Sequence, residues 1–381
     1  MTVWDGLVGQ QAVIAQLEQA VAGGAGMSHA WLFCGPPGSG RSNAALAFAA
    51  ALQCETGGCG DCASCHQAAI GAHPDIVLTR TEKLSIGVDE VRELVRRSAL
   101  TPVGNRWQIM VIEDADRLTE QAANALLKAI EEPNPRTVWL LCAPTVEDVL
   151  PTIRSRTRLM VLSTPAVADV VEFLLKDGTD PATADYAARV AQGHIGRARG
   201  LARDAESRSR RDHVVAIPAK LRSLGACMKA ASDLNDLTKQ EADAQSAATA
   251  ERERADLDRA YGVVDRGKRP KEYAPALRDL EKAQKTRAKR RHLDVVDRSL
   301  MDLVSVYRDA LTIQLRTGAA IVNTELREGL EILAAEPAET NVRRIDAVFA
   351  AREQMLEFNV AVLLVLESLM VSLMLTASTS S

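Results

Sequence analysis

The sequence predicts an α/β domain with a parallel sheet over about its first 164 residues, followed by helical domains. Three observations favour this fold class. Short apolar runs alternate with helical segments, a glycine-rich loop joins one such run to a helical segment, and strand candidates cease after residue 164. The 381 residues are 47% hydrophobic and 25% charged, so the chain can bury a sizeable core in two or three domains.

Five apolar runs are the strand candidates of this sheet. In chain order they are WLFC, DIVLT, WQIMVIED, TVWLLCA and RLMVL. Four of them are continuous rather than alternating, which is typical of parallel strands covered by helices on both faces. Between them, VDEVRELVRRSAL and TEQAANALLKAIEE have helical spacing, and we expect the second helix to begin at the cap Thr119 and to end before Pro133.

The chain beyond the sheet is predicted to be helical. Residues 165–204 form a small helical domain, broken at Gly193 and Gly196, and the remainder to residue 381 is helical throughout. Within it, the segment 239–292 is rich in charged residues and poor in large apolar ones. This composition indicates a solvated helical pair or a charged, partly disordered insertion, with DRGKRPKEYAP as its turn.

Charge and apolar patterning limit the classes of function. The net charge is −4 and the pI is near 6.0, so nothing global demands nucleic acid or an anionic membrane. The N-terminus lacks the basic start and apolar core of a signal peptide, and we therefore expect a cytoplasmic chain with reduced cysteines. The apolar stretch 359–375 is interrupted by Glu367 and two serines, which favours a buried helix over a membrane span.

The octapeptide GPPGSGRS has the character of a phosphate-binding P-loop, because it follows the apolar run HAWLFC and precedes a helical segment. Backbone N–H groups of such a loop cradle the phosphates of ATP or ADP, and Ser42 would ligate magnesium. The candidate nucleotide-binding residues are Gly35, Pro36, Pro37, Gly38, Ser39, Gly40, Arg41 and Ser42. Arg41 stands where the lysine belongs, and its planar guanidinium cannot make the same compact contact. A glycine-rich turn without a ligand stays an alternative.

A second candidate element is WQIMVIEDAD, a strand that ends in Glu113, Asp114 and Asp116. At the carboxyl edge of a parallel sheet, beside a P-loop, such carboxylates would hold magnesium and orient the attacking water. Acidic residues are common at strand ends, so this indication depends on the P-loop.

A third element is the stretch CETGGCGDCASC, which contains Cys54, Cys59, Cys62 and Cys65. The spacing C-x4-C-x2-C-x2-C places four soft ligands within a short loop, as a tetrahedral structural zinc site requires. The alternatives are disulfides, which a reducing compartment disfavours, and scattered reduced cysteines. Cys34 and Cys142 lie inside apolar strands and are expected to be core residues.

A fourth element is TIRSRTRL, which carries Arg154, Arg156 and Arg158 just before the last strand candidate. A solvated turn explains such a run. An arginine projecting from the edge of the domain would instead reach a phosphate on a neighbouring subunit, where it stabilises the charge of the transferring phosphoryl group.

Taken in order, these elements resemble the AAA+ clamp-loader family of bacterial DNA polymerase III. The resemblance covers roughly residues 5–200 and rests on HAWLFCGPPGSGRS, the cysteine cluster followed by HPDI, NALLKAIEEP, and IRSRT. The specific part is NALLKAIEEP followed about twenty residues later by Ser-Arg, whereas a P-loop is shared by many families. The C-terminal third matches only in being helical.

The resemblance implies an AAA+ P-loop domain over residues 1–164 with an inserted four-cysteine zinc module at 54–65. It implies a helical lid at 165–204 and a helical collar at 205–381. It also makes Arg156 a finger that acts in trans, because Ser155-Arg156-Thr157 stands where the family has Ser-Arg-Cys. The implied partners are gamma/tau-type ATPase and delta-type subunits in a hetero-oligomer, the sliding clamp and primed DNA, with no membrane.

Several positions depart from the family pattern. They are Arg41 for lysine, the inverted order Glu113-Asp114, Ala143 for a sensor threonine, and Gly196 for a sensor arginine. Together they predict that the chain hydrolyses little or no ATP itself and instead completes a neighbour's ATP site while helping to load the clamp. One alternative is an active ATPase motor subunit of the same loader. Another is a zinc-dependent nucleic-acid-binding protein that uses the basic run KAQKTRAKRR, residues 282–291.

Overall fold

The computed structural model describes residues 2–23, 26–81, 85–104, 106–261 and 273–375. The chain divides into two compact units, Met1–Arg203 and Asp204–Ser381. The first unit contains the sheet and the second is helical.

The first unit follows a strand–helix alternation. It begins with α1 (Gln11–Val21), β1 (Ala30–Cys34), α2 (Arg41–Gln53), α3 (Ala63–Ala69), β2 (Ile76–Thr79) and α4 (Val88–Ser98). It continues with β3 (Gln108–Ile112), α5 (Glu120–Glu131), β4 (Thr137–Ala143), α6 (Pro151–Arg154) and β5 (Arg158–Val161). The five strands pair in parallel in the order β2-β3-β4-β1-β5. The predicted α/β P-loop fold with five parallel strands is confirmed.

Both faces of the sheet are covered, which explains the continuous apolar strands. On one face Trp31 and Phe33 of β1 pack with Phe48 of α2, and the rings of Trp31 and Phe48 lie 4.9 Å apart between centroids. On the other face Leu32 packs in a cluster that includes Leu126 of α5. Every residue of β1, β3 and β4 is buried, so these strands form the centre of the unit.

Helix α5 begins and ends where the sequence predicts. The Thr119 hydroxyl accepts the backbone N–H of Ala122 at 3.2 Å, and the helix ends at Glu131, before Pro133. A cap of this kind satisfies one of the unpaired donors of the first turn. Helix α5 carries most of the motif NALLKAIEEP and ends at Glu131.

Three helices complete the first unit: α7 (Val167–Lys176), α8 (Pro181–Ala191) and α9 (Ile195–Arg203). Gly193 separates α8 from α9 with a φ of +85°, and a Cβ there would lie 2.1 Å from the Thr164 side chain. The predicted second break at Gly196 is wrong, because Gly196 lies inside α9.

The second unit consists of six helices in the described part of the chain, with two short 3-10 turns between them. They are α10 (Ala205–Val215), α11 (Leu224–Ala260), α12 (Tyr273–Leu315), α13 (Arg327–Ala334), α14 (Ala338–Leu356) and α15 (Val362–Ser372). Their core includes Leu234, Leu303, Tyr307 and Leu366. The stretch 359–375, predicted as a buried helix, contains α15, whose Leu366 and Met370 are fully buried.

Helices α11 and α12 are antiparallel, as successive contacts show. Asp258 accepts the Tyr273 hydroxyl, Arg287 pairs with Glu253, and Arg291 donates to the Gln245 carbonyl. The described parts of the charged segment, 239–261 and 273–292, therefore form the outer halves of two long helices. Its predicted turn, DRGKRPKEYAP, falls mostly outside the described residues. Over the described ranges, no helix has both the length and the apolarity needed to cross a membrane.

Candidate functional site

The four cysteines of the predicted zinc module meet at the end of α2. Cys54 follows α2, Cys62 caps α3, and Cys65 lies in its first turn. All four Sγ atoms lie within 4.8 Å of one another, and none of these cysteines is in a disulfide. Gly58 allows the tight approach, since its φ is +110° and a Cβ would lie 2.6 Å from Val3.

The geometry of this cluster fits a zinc ion. A tetrahedron with Zn–S bonds of about 2.3 Å has edges of about 3.8 Å. The Sγ atom of Cys54 lies 3.7 Å from that of Cys59 and 3.8 Å from that of Cys62. Burial acts to raise the pKa of Cys54, but hydrogen bonds from Thr56 and from backbone N–H groups outweigh it and lower the pKa to about 5. The thiolate is the form that binds metal.

The P-loop residues 35–42 join β1 to α2, as predicted, and Arg41 is the first residue of the helix. Its guanidinium Nη1 donates to the carbonyl of Gly35 at 2.8 Å. The cation is therefore bound to the loop's own backbone, at the position from which a lysine would reach a phosphate. A phosphate bound by Arg41 would have to replace this contact.

The loop is also covered by the segment that joins α8 to α9. Gly38 has a φ of +87°, and a Cβ at this position would lie 2.3 Å from Cγ of His194. The N–H of Ile195 donates to the Gly38 carbonyl at 3.4 Å. Within the described residues the buried hydroxyl of Ser39 has no hydrogen-bond partner. The loop is thus packed against protein at Gly38.

The carboxylates at the end of β3 lie at the same edge of the sheet, and Glu113 is ion-paired there. Arg80, which follows β2, binds it through two bonds, Nε to Oε2 at 2.6 Å and Nη2 to Oε1 at 2.9 Å. Asp114 lies 3.9 Å from the guanidinium of Arg117. Both carboxylate oxygens of Glu113 are therefore engaged by one guanidinium.

Asp116 behaves differently from its neighbours. Burial raises its pKa, the charge of Asp114 adds to this effect, and the charge of Arg41 opposes it. Its Oδ1 is buried without a hydrogen-bond partner in the described ranges. The structure therefore brings the P-loop cation and the acidic end of β3 within electrostatic reach of each other, as the sequence predicts.

Arg156 lies just after α6. Its Nε donates to Glu131 at 2.5 Å, and its Nη1 donates to the Thr152 carbonyl at 2.9 Å and to the Ser155 hydroxyl at 3.1 Å. The side chain remains 38% exposed. These three acceptors orient the guanidinium at the surface without burying it.

The two neighbouring arginines have different environments. Arg158 stacks over Trp31 at 5.0 Å from the ring centroid and donates to the Gly26 carbonyl, so it is bound to the body of the unit. Arg154 is exposed. Of the three arginines of the run, Arg156 alone combines exposure with an acidic partner that fixes its direction.

Sequence reasoning did not predict Arg80, Glu131 or His194 as site residues. Arg80 had a signal, since it directly follows the strand candidate DIVLT and parallel strands bring their carboxyl ends to one edge. Glu131 lies within the quoted motif NALLKAIEEP, and His194 in the stretch GHIGRA. Their contacts depend on tertiary packing.

Comparison with known proteins identifies the region that carries these features. A family model described as DNA polymerase III, delta subunit, matches residues 9–166. Residues 9–166 are therefore similar to this family, and we call them the delta-type domain. The resemblance of the delta-type domain to bacterial clamp-loader subunits is thereby confirmed.

Relatives of the delta-type domain carry two kinds of name. The DNA polymerase III subunit gamma/tau of Mycobacterium bovis is 38% identical over 156 residues, which are 40% of this chain and 27% of that protein. The subunit delta' of Pseudomonas aeruginosa is 37% identical over 173 residues, 44% of this chain and 52% of that protein. The delta' of Bacillus subtilis is 36% identical over 137 residues, 35% and 42% of the two chains. The chain thus spans about half or less of the length of these relatives.

Proposed function

We propose that the chain is a delta'-type subunit of a DNA polymerase III clamp loader. In this proposal Arg156 completes the ATP site of a neighbouring gamma/tau-type subunit, and the assembly, with a delta-type subunit, loads the sliding clamp onto primed DNA. The chain itself hydrolyses little or no ATP. The observation that carries the proposal is the guanidinium of Arg156, which is directed by Glu131 yet left exposed.

An arginine suits this role because it stays charged and presents a planar fork of donors to phosphate oxygens. The contact with Glu131 restricts the rotamers of Arg156 and thereby reduces the entropy lost when it meets a phosphate. The exchange of Glu131 for a phosphate oxygen in the assembled complex is the step we propose for this side chain.

The P-loop edge of the delta-type domain supports the proposal that the chain itself hydrolyses little or no ATP. The candidate base Glu113 is held by Arg80, and Arg41 is bound to the carbonyl of Gly35. Nucleotide at this loop, ATP or ADP with or without magnesium, would have to displace contacts that the protein already makes. We therefore favour a delta'-type subunit over an active ATPase motor subunit.

The four cysteines would hold one structural zinc ion. Four thiolates leave no open coordination position, so the ion would supply local folding energy rather than chemistry. The loop it fixes joins α2 to α3 and contacts the N-terminus, where the Val3 N–H donates to the Gly58 carbonyl at 3.1 Å.

We propose the helical unit from Asp204 as the collar through which subunits associate. Helix α14 exposes Val342, Phe349 and Leu356, which are spaced by seven residues and are 47%, 43% and 41% exposed. Apolar residues at this spacing form one stripe along a helix, suited to packing against a helix of a neighbouring subunit.

The experiment is reconstitution with gamma/tau-type and delta-type subunits. The chain should enter the complex, and loading of the clamp onto primed DNA should require it. Phe349→Asp should abolish co-purification, because it places a charge in the apolar stripe. The matched control is Val103→Asp, at an 82% exposed apolar residue of the first unit. Clamp loading at the full rate without this chain would contradict the proposed function.

A further inference from the structure

The outer half of α12 carries four basic residues on one face. They are Arg278, Lys282, Lys285 and Lys289. At 100° per residue they fall within an arc of about 60°, and at 1.5 Å per residue they extend over about 16 Å. All four are exposed. We call them the α12 basic stripe.

The stripe differs from the other basic residues of this helix pair. Arg287 pairs with Glu253, and Arg254 with Glu281, so those charges hold the two helices together. Within the described ranges no carboxylate pairs with a side chain of the stripe. Arg278 donates to a carbonyl of its own helix and Lys289 to the neutral amide of Asn359, so neither is in an ion pair in the described ranges.

The charges around the stripe also distinguish it from the ion-paired arginines of this helix pair. Glu253 and Glu281 of the outer helix pair are engaged by arginines. The whole chain carries a net charge of −4, so the stripe is a local exception and not part of a generally basic surface.

The spacing of the stripe suits a regular array of phosphates. Duplex DNA presents about one negative charge per 1.7 Å of its axis, so 16 Å of helix would face several phosphates at once. Residues 278–289 contain no aromatic side chain on which an unpaired base could stack. The ligand that fits is therefore the backbone of double-stranded nucleic acid, bound without regard to sequence.

We propose that the α12 basic stripe is a binding surface for the phosphate backbone of duplex DNA. This contact is separate from the Arg156 site and needs neither nucleotide nor another subunit. It anchors DNA to the second unit through charge alone.

The test measures binding of the full chain alone, without ATP, to a fluorescent duplex of about 20 base pairs by anisotropy over a range of salt concentrations. If all four residues meet phosphates, the logarithm of the binding constant should fall with the logarithm of salt with a slope of about −3.6. The triple variant Arg278→Gln/Lys282→Gln/Lys285→Gln should reduce this slope by about three, because each phosphate contact contributes about one. Its affinity at low salt should fall at least tenfold.

The matched control is Lys220→Gln/Lys229→Gln/Lys239→Gln, which removes the same charge from exposed lysines of the same unit. It should retain the wild-type slope, and circular dichroism should show both variants folded. Equal losses in the two variants would overturn the proposal, as would no duplex binding by the wild type at 50 mM salt. Binding to poly-glutamate with none to the duplex would assign the stripe to an acidic protein and would also overturn it. Failure here leaves the Arg156 proposal intact, since that site is read out by ATP turnover.

Discussion

Arg41 and Arg156 are the same residue type in one folded unit, and their surroundings give them opposite roles. Arg41 donates to the backbone carbonyl of Gly35 inside its own loop. Arg156 also has partners, Glu131 and the Thr152 carbonyl, but its side chain stays 38% exposed. The P-loop edge uses its charges internally, whereas the edge after α6 presents a charge outward.

The comparison extends to the carboxylates. Glu113, at the P-loop edge, is only 12% exposed and is engaged by both nitrogens of the Arg80 fork. Glu131, at the other edge, is 44% exposed and contacts the guanidinium of Arg156. The Arg80–Glu113 pair engages both oxygens of a largely buried carboxylate, whereas the Arg156–Glu131 pair is exposed at both side chains and is readily exchanged. The P-loop can therefore be recognised in the sequence although charged residues at this edge are bound to other groups of the protein.

The largest effect is expected from removing the exposed arginine. In the reconstituted complex, Arg156→Ala should lower ATP turnover at the neighbouring site by up to roughly 10³-fold, the low end for arginine fingers, although other sites mask part of this in the total rate. Arg41→Ala should change turnover far less, because its cation serves its own loop. Clamp-stimulated ATP hydrolysis measures both.

The control for this prediction is Arg154→Ala, since Arg154 is an exposed arginine of the same run. Arg158 is unsuitable, because its contacts with Trp31 and Gly26 make it structural. If Arg41→Ala abolished turnover while Arg156→Ala had no effect, the roles of the two edges would have to be exchanged.

The next largest effect is expected at the four-cysteine cluster, which lies at the C-terminal end of α2, whereas Arg41 lies at its first residue. The purified chain should contain about one equivalent of zinc, from its four thiolates. Cys62→Ser should release it and lower the free energy of unfolding by roughly 3 kcal/mol, the upper part of the range for point mutations. Elemental analysis and thermal melts provide the measurement. Cys227→Ser, at a buried cysteine of the second unit, should keep its zinc. Metal-free wild type in a reduced, chelator-free preparation would rule out the site.

A smaller effect is expected from the contact that covers the P-loop. Gly38→Ala introduces a Cβ at a φ of +87° and against His194, so both the backbone and the packing must shift. The cost should be about 2 kcal/mol, as for other strained backbone positions. His194→Ala in the same chain should recover only a small part of this loss, because it removes the imidazole ring but leaves the Cα and Cβ of residue 194, each 2.6 Å from the new Cβ, and the backbone strain. Chemical denaturation of Gly38→Ala and of the double variant measures both changes in the free energy of unfolding. A Gly38→Ala variant as stable as wild type would show that the loop is not packed as described.

The fold could be predicted from the sequence to the extent that local patterns determine it. Short apolar runs, four of them continuous, identified all five strands, and Thr119 followed by helical spacing located the start of α5. Gly196 shows the limit. A glycine ends a helix when its backbone needs a positive φ, as at Gly193, and composition alone cannot distinguish it from Gly196, which stays helical.

The candidate site was predictable where its residues are close in sequence, as in the cysteine cluster. The ion pairs that decide the chemistry were not. Arg80 and Glu113 are 33 residues apart, and Glu131 and Arg156 are 25 apart. Their pairing depends on how strands and helices align at one edge, and a single sequence does not specify that alignment.

The smallest effect is expected from restoring the residue that the P-loop lacks. Arg41→Lys should leave ATP hydrolysis by the purified chain within about twofold of wild type. A lysine alone would meet a loop covered by His194 and a candidate base bound to Arg80. The double variant Arg41→Lys/Arg80→Ala frees Glu113 at a stability cost of about 1 kcal/mol or less, since Arg80 is 62% exposed. It should still turn over well below the rate of roughly 1 per second at which kinase and motor sites begin, because Ala143 and Gly196 stay unchanged. Turnover near that rate in the single variant would mean that Arg41 alone keeps an otherwise competent site inactive. The contrast between the two edges would then rest on one side chain rather than on the pairing of charges.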